Sequence, residues 1–266
     1  MNTRILLSLI IACYAVPATS ATVELFNQDY ESPVGFVDDG GDVNIRKTVN
    51  QLYGNQPTGF TYFQQGSVET LNITGTDAFG TGYTDVSGTA GDYVIGMLAS
   101  NDILTLFFDV GEFPFFNLSA EVSNIDLDRY GGPFNSIDSG APTFEFSLFD
   151  NPTGGNNLSG NGTLLDSDTI TGIGSARDEW NGVSEIIALS TAGNTNGNVA
   201  LRIDLLSLEN DGGNSYSGFD NLIITASDEE GDIGDPNVIP VPASLPLLLA
   251  GLGILGLAAR RKKLSN

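Results

Sequence analysis

The sequence predicts an all-β protein, a single jelly-roll-like β-sandwich, on three observations. Between residues 22 and 227, short runs of β-branched, aromatic and aliphatic residues recur. Clusters such as Asp211-Gly212-Gly213-Asn214, Gly131-Gly132-Pro133 and Asn151-Pro152-Thr153-Gly154-Gly155 punctuate them in the manner of strand-to-strand turns. No stretch of ten or more residues here combines helical periodicity with caps. Many short strands with regular turns bury their apolar faces by forming two packed sheets.

The expected strands, in order, are 22–26, 59–64, 68–73, 93–98, 103–110, 118–127, 143–149, 182–189, 199–206 and 221–225. Alternation is clearest in Thr143-Phe144-Glu145-Phe146-Ser147-Leu148-Phe149, where three aromatic residues are expected on one buried face and polar residues on a wet one. Residues 152–162, rich in Gly and Asn, read as a surface loop. The stretch 22–226 is the size of one sizeable sandwich rather than two small domains.

Residues 1–21 read as a cleavable signal peptide. Arg4 supplies the positive start, Ile5 to Ala12 an apolar run too short to span a bilayer, and Ala18-Thr19-Ser20-Ala21 the small residues that signal peptidase requires. A buried core helix over 5–15 is the alternative, and its place at the extreme N-terminus argues against it. Cys13, the one cysteine, follows Ile10-Ile11-Ala12 in a loose lipoprotein box, but the apolar run continues past it. Cleavage after Ala21 leaves a mature chain starting at Thr22 with no cysteine, which excludes disulfides and thiolate metal sites.

Composition narrows the chemistry further. There is no histidine, which removes Ser-His-Asp and Cys-His nucleophile systems and His-ligated zinc. The chain carries 10 basic and 33 acidic residues, a net charge of -23. Five of the basic residues lie in the leader and the tail, so the chain between them holds five against 33, or -28. Such a surface repels nucleic acid and anionic lipid and favours divalent cations.

The run Ser227-Asp228-Glu229-Glu230-Gly231-Asp232-Ile233-Gly234-Asp235-Pro236-Asn237 has high charge and almost no apolar content, so 227–237 is expected to be a linker, or alternatively a solvated terminal loop of the sandwich. Beyond it, residues 243–259 form an apolar segment of membrane-crossing type, followed at once by Arg260, Arg261, Lys262 and Lys263. The four cations hold that end in the cytoplasm and leave the body outside. A lipid-anchor signal of the GPI kind would end in its apolar tail without a basic stop.

Within Val238-Ile239-Pro240-Val241-Pro242-Ala243-Ser244-Leu245-Pro246, the triplet Val241-Pro242-Ala243 ahead of the apolar run resembles the PEP-CTERM class of sorting signals, and its Val-Pro-Leu-Pro-Ala variant in particular. Val241 stands where the variant has Leu, and Pro-Glu-Pro itself is absent. The resemblance covers 238–266 and implies a Gram-negative-type bacterium, passage through the inner membrane, processing by an exosortase, and delivery of the body to the envelope or extracellular matrix. A plain single-span anchor is the alternative for this tail.

The two ends of the body, Phe26-Asn27-Gln28-Asp29-Tyr30-Glu31 and Gly218-Phe219-Asp220-Asn221-Leu222-Ile223-Ile224, resemble the first and last strands of galactose-binding-like or carbohydrate-binding-module jelly rolls. That resemblance implies adjacent termini and a structural calcium held by an acidic residue from each, at Asp29, Glu31 and Asp220, with Asp42 as an addition. Calcium takes six to eight oxygens, which carboxylates and loop carbonyls supply. The competing reading makes these residues turn chemistry in an acid-rich chain. Tyr53, Phe60, Tyr62, Tyr83, Tyr130, Trp180 and Tyr216 are candidate sugar platforms, with core packing as the competing role. Four Asn-x-Ser/Thr matches, at Asn72, Asn117, Asn157 and Asn161, read as chance in a chain this rich in Asn, Ser and Thr. The expected function is a non-catalytic envelope or matrix protein associated with exopolysaccharide. The alternative is a secreted carbohydrate-active enzyme, a carboxylate-dependent glycoside hydrolase or lyase, for which no feature selects a carboxylate pair.

Overall fold

A computed structural model describes residues 21–39, 43–75, 84–100, 102–125, 141–155, 162–174, 179–208 and 216–234. Residues 22–235 form one compact unit with its own core. Residues 1–20 of the signal peptide, Asp42, Tyr83, Tyr130, the sorting triplet Val241 to Ala243, the apolar segment 243–259 and the basic cluster 260–263 lie outside the described residues. Among the described residues no helix is long and apolar enough to cross a membrane.

The elements are β1 (Thr22–Gln28), β2 (Val43–Asn44), α1 (Val49–Tyr53), β3 (Phe63–Gln65), β4 (Val68–Asn72), β5 (Thr84–Asp85), β6 (Tyr93–Met97), β7 (Ile103–Asp109), β8 (Phe115–Ile125), β9 (Pro142–Asp150), β10 (Leu164–Thr171), β11 (Glu179–Trp180), β12 (Val183–Ser190), β13 (Asn198–Leu208) and β14 (Tyr216–Ser227). One sheet runs β12-β8-β14-β6-β4-β2, with β1 also on β14; the other runs β10-β9-β13-β7-β3. Their inner faces meet in one core: Leu104, Leu106, Phe108, Phe144, Phe146, Leu148, Leu201 and Ile203 from the five-stranded sheet, and Phe116, Leu118, Val122, Phe219, Leu222 and Ile224 from the seven-stranded one. The expected sandwich is therefore the one observed.

Two departures matter for function. In β9, Phe144, Phe146 and Leu148 are fully buried and Phe149 is half-buried. The pleat inverts the side chain at each residue, so Phe149 lies on the opposite face from Phe144 and Phe146. The expected row of three aromatic residues on one face is thus two, with Leu148 completing it. The acidic run also differs from a linker in its first part. β14 continues to Ser227, and the following turn folds back over the outer face of the seven-stranded sheet. There the buried Asn117 donates to the carbonyls of Glu229 (3.2 Å) and Asp232 (3.1 Å) and accepts from the Gly231 N–H (2.8 Å). As far as Gly234 the acidic run is docked on the body.

β14 is bordered on both sides. β8 lies along one edge; on the other, Ser217 to Phe219 pair with β6, and Leu222 to Ser227 pair with β1. The change of partner falls at a bulge between Asp220 and Ile223, where Asn221 takes φ of 51°. A bulge there twists the strand and redirects its side chains. A second apolar cluster, including Leu71, Val94, Ile125, Trp180 and Tyr216, covers the outer face of the seven-stranded sheet near this point.

Candidate functional site

The bulge gathers acidic groups. Asp220 is 1% exposed, and its cross-strand partner on β8 is Glu121, also buried. Directly opposed residues hold their Cβ atoms about 4.5–5.5 Å apart. Asn221 Nδ2 reaches across both, donating to Asp220 Oδ2 (3.2 Å) and Glu121 Oε2 (3.5 Å) as well as to the Thr89 carbonyl (2.8 Å). Glu121 Oε1 accepts from Ser87 Oγ (2.9 Å), Thr89 Oγ1 (2.5 Å) and Trp180 Nε1 (2.8 Å). Asp220 Oδ1 is buried with no hydrogen-bond partner.

Burial drives the Asp220 carboxyl from its usual 3.8 up to about 9, and repulsion by Glu31, Glu121 and Asp29 adds to it, against the favourable Asn221 N–H. Burial also raises Glu31. Tyr30, whose buried hydroxyl lacks a partner, is raised by burial and by its neighbours Tyr62 and Asp220. The local chemistry is thus a set of oxygen donors carrying uncompensated negative charge, with one orphaned carboxylate oxygen, and hard oxygen-seeking cations suit it.

Of the residues expected to hold calcium, Asp29 is exposed and turns Oδ1 onto the Glu31 N–H (3.1 Å). Glu31 accepts from the Asp92 and Tyr93 N–H groups (2.8 and 3.1 Å). Among the described residues no three of His, Cys, Asp and Glu form a group that would hold a metal ion. What joins Asp29, Glu31 and Asp220 is electrostatic repulsion at Asp220. Glu121 was missed in the sequence, where its one signal is an acidic residue in an otherwise uncharged strand.

The candidate platforms Tyr53, Tyr62, Trp180 and Tyr216 are buried, and Phe60 packs against the core. A different aromatic surface exists on the outer face of the five-stranded sheet. The register places Phe107, Ala200 and Phe149 in one row across β7, β13 and β9, and Phe63, Thr105, Arg202 and Ser147 in the next. Phe63, Phe107 and Phe149 are half-buried, and Phe63 and Phe107 meet edge to face at 5.5 Å. In the third row Asp204 lies opposite Glu145. Arg202 donates through Nε and Nη2 to Asp204 Oδ1 (2.9 and 2.5 Å), leaving the buried Oδ2 without a partner. Five strands at about 4.8 Å spacing make this face about 19 Å wide, room for several sugar rings.

No curated protein matches the chain in sequence. Solved structures similar to the body include carbohydrate-binding modules. A CBM4 module is 7% identical, with 75% of this chain and 97% of that one covered at a TM-score of 0.35. Tandem CBM22 modules from Paenibacillus barcinonensis are 10% identical, covering 85% and 51%, at 0.39. A CBM36 module in complex with calcium and xylotriose is 12% identical, covering 53% and 84%, at 0.28. The tail gives the direct match: residues 238–262 carry a PEP-CTERM protein-sorting motif, the mark of an exported protein.

Proposed function

We propose that this chain is an exported envelope or extracellular-matrix protein, processed at its tail by an exosortase-type enzyme, whose sandwich is a non-catalytic polysaccharide-binding module. The sorting motif at 238–262 supports export and processing. The observation that carries the binding role is the outer face of the five-stranded sheet, where Phe63, Phe107 and Phe149 offer apolar surface beside Arg202, Asp204 and Glu145. Ring faces of this kind take up the C–H faces of sugars while neighbouring polar groups bind the hydroxyls. The soluble body is expected to bind isolated exopolysaccharide, and Phe107→Ala combined with Phe149→Ala to weaken that binding about tenfold or more with the fold intact. Unchanged affinity in the double variant would remove this face from the reading.

Calcium belongs to the same proposal as a structural ion. Asp29 and Glu31 would have to move toward Asp220 to hold it, and its charge would offset the repulsion at the buried Asp220. A carboxylate-dependent glycoside hydrolase or lyase is the second reading, because Glu145 and Asp204 are cross-strand neighbours on the aromatic face. New reducing or unsaturated ends released from a glycan panel would establish it; a panel returned intact would retire it.

A further inference from the structure

The end of the sandwich where β1 starts is also where the docked acidic turn lies. Thr22 is half-buried and pairs with Ser227 in the β1–β14 ladder. Its Oγ1 donates to Asp232 Oδ2. Asp232 is the hub of the turn: Oδ1 accepts from the Gly234 N–H (2.9 Å), and its carbonyl accepts from Asn117 Nδ2 (3.1 Å) and Thr225 Oγ1 (2.5 Å). The carboxylates of this neighbourhood are Asp228, Glu229, Glu230 and Asp232 on the turn and Glu24 on β1, while β8 and β14 contribute the neutral Asn117, Thr225 and Ser227.

We infer that the amino group released when the leader is removed is a working part of the fold. Hydrolysis of the Ala21–Thr22 bond sends the new carboxylate away with the leader and converts a neutral amide nitrogen into the Thr22 ammonium. That cation appears on the residue whose side chain already touches Asp232, and it pairs with the Asp232 carboxylate to fasten the acidic turn. The precursor, with its leader attached, lacks this fastening. Leader removal therefore fastens residues 228–234, the last described segment of the body. The inference rests on cleavage after Ala21, which the mass of the exported protein's N-terminal peptide tests separately.

The decisive comparison uses residues 22–235 with a free Thr22 amine and the same protein Nα-acetylated. Hydrogen exchange at the Gly231 and Gly234 amides is expected to be slower in the free-amine form by about two- to five-fold, the size of a partly exposed ion pair. In 1 M salt the difference is expected to disappear. Asp232→Asn in both forms is expected to remove it as well. Equal exchange in the free and acetylated proteins at low salt would overturn the inference, and so would a difference that survives both 1 M salt and Asp232→Asn. Should Asp232→Asn release the turn altogether, acetylation against salt in the unsubstituted protein still decides.

Discussion

In chelator, the isolated body is expected to lose stability as pH rises from about 4 to about 9, and calcium to restore it. The sign follows from Asp220, whose carboxyl in the folded protein titrates at about 9 against an ordinary 3.8. The neutral form is the one the fold prefers, so its contribution is complete below the ordinary value and is lost as pH climbs through the folded one. Calcium reverses the preference by binding the charged form. At free calcium a hundredfold above the dissociation constant the gain is about 2.7 kcal/mol. Asp220→Asn keeps the shape and removes the titration, so in chelator it is expected to be the more stable protein at high pH and to gain nothing from calcium. Glu31 and Glu69 are also raised, by burial first, and contribute in the same direction in both proteins, so the difference between the two proteins reports Asp220 together with its repulsion of Glu31. Equal melting temperatures in calcium and chelator at matched ionic strength would sink the metal site.

Trp180→Ala is expected to be the most damaging single substitution near the bulge. The indole is fully buried, packs in the second apolar cluster, and donates to Glu121. Truncating a buried Trp costs about 3–5 kcal/mol, and for a domain of this size each kcal/mol lowers the melting temperature by about 2–4 °C. Trp180→Phe separates the two roles, since it keeps most of the apolar volume and removes only the donor. Gly182→Ala tests the same carboxylate from the other side, because a Cβ there would stand 1.5 Å from Glu121 Oε1. A thermal scan in which Trp180→Ala melts within 2 °C of the parent would contradict this account of the cluster.

The strands carrying clear alternation or long apolar runs were legible in the sequence: β4, β6, β7, β8, β12 and β13 lie close to where the pattern puts them. β10 was not, because its sequence LLDSDTIT has mostly exposed residues and forms a polar edge. α1 is only five residues long, too short for periodicity, although its capping box of Thr48 and Gln51 was present to be read. β14 was expected from Asn221 and starts at Tyr216, since the Asp220–Asn221 pair also reads as turn chemistry and instead forms a bulge inside a strand. At the candidate site, Asp220 was picked out by its place near the end of the body, whereas Glu121 and the Phe63, Phe107 and Phe149 surface depend on register between strands distant in sequence. Trp180 read as either platform or core, and the fold gives it the core role, fully buried in the second apolar cluster.

β14 has a mechanical consequence as the strand that leads toward the sorting tail. Its hydrogen bonds to β8 on one side, and to β6 and then β1 on the other, lie across the strand direction. A body held at a surface by its C-terminal end and dragged by flow is pulled along β14. The load then falls on many cross-strand bonds together, in shear, rather than peeling them one by one. The docked turn at 228–234 would release first, and the sandwich behind it would hold.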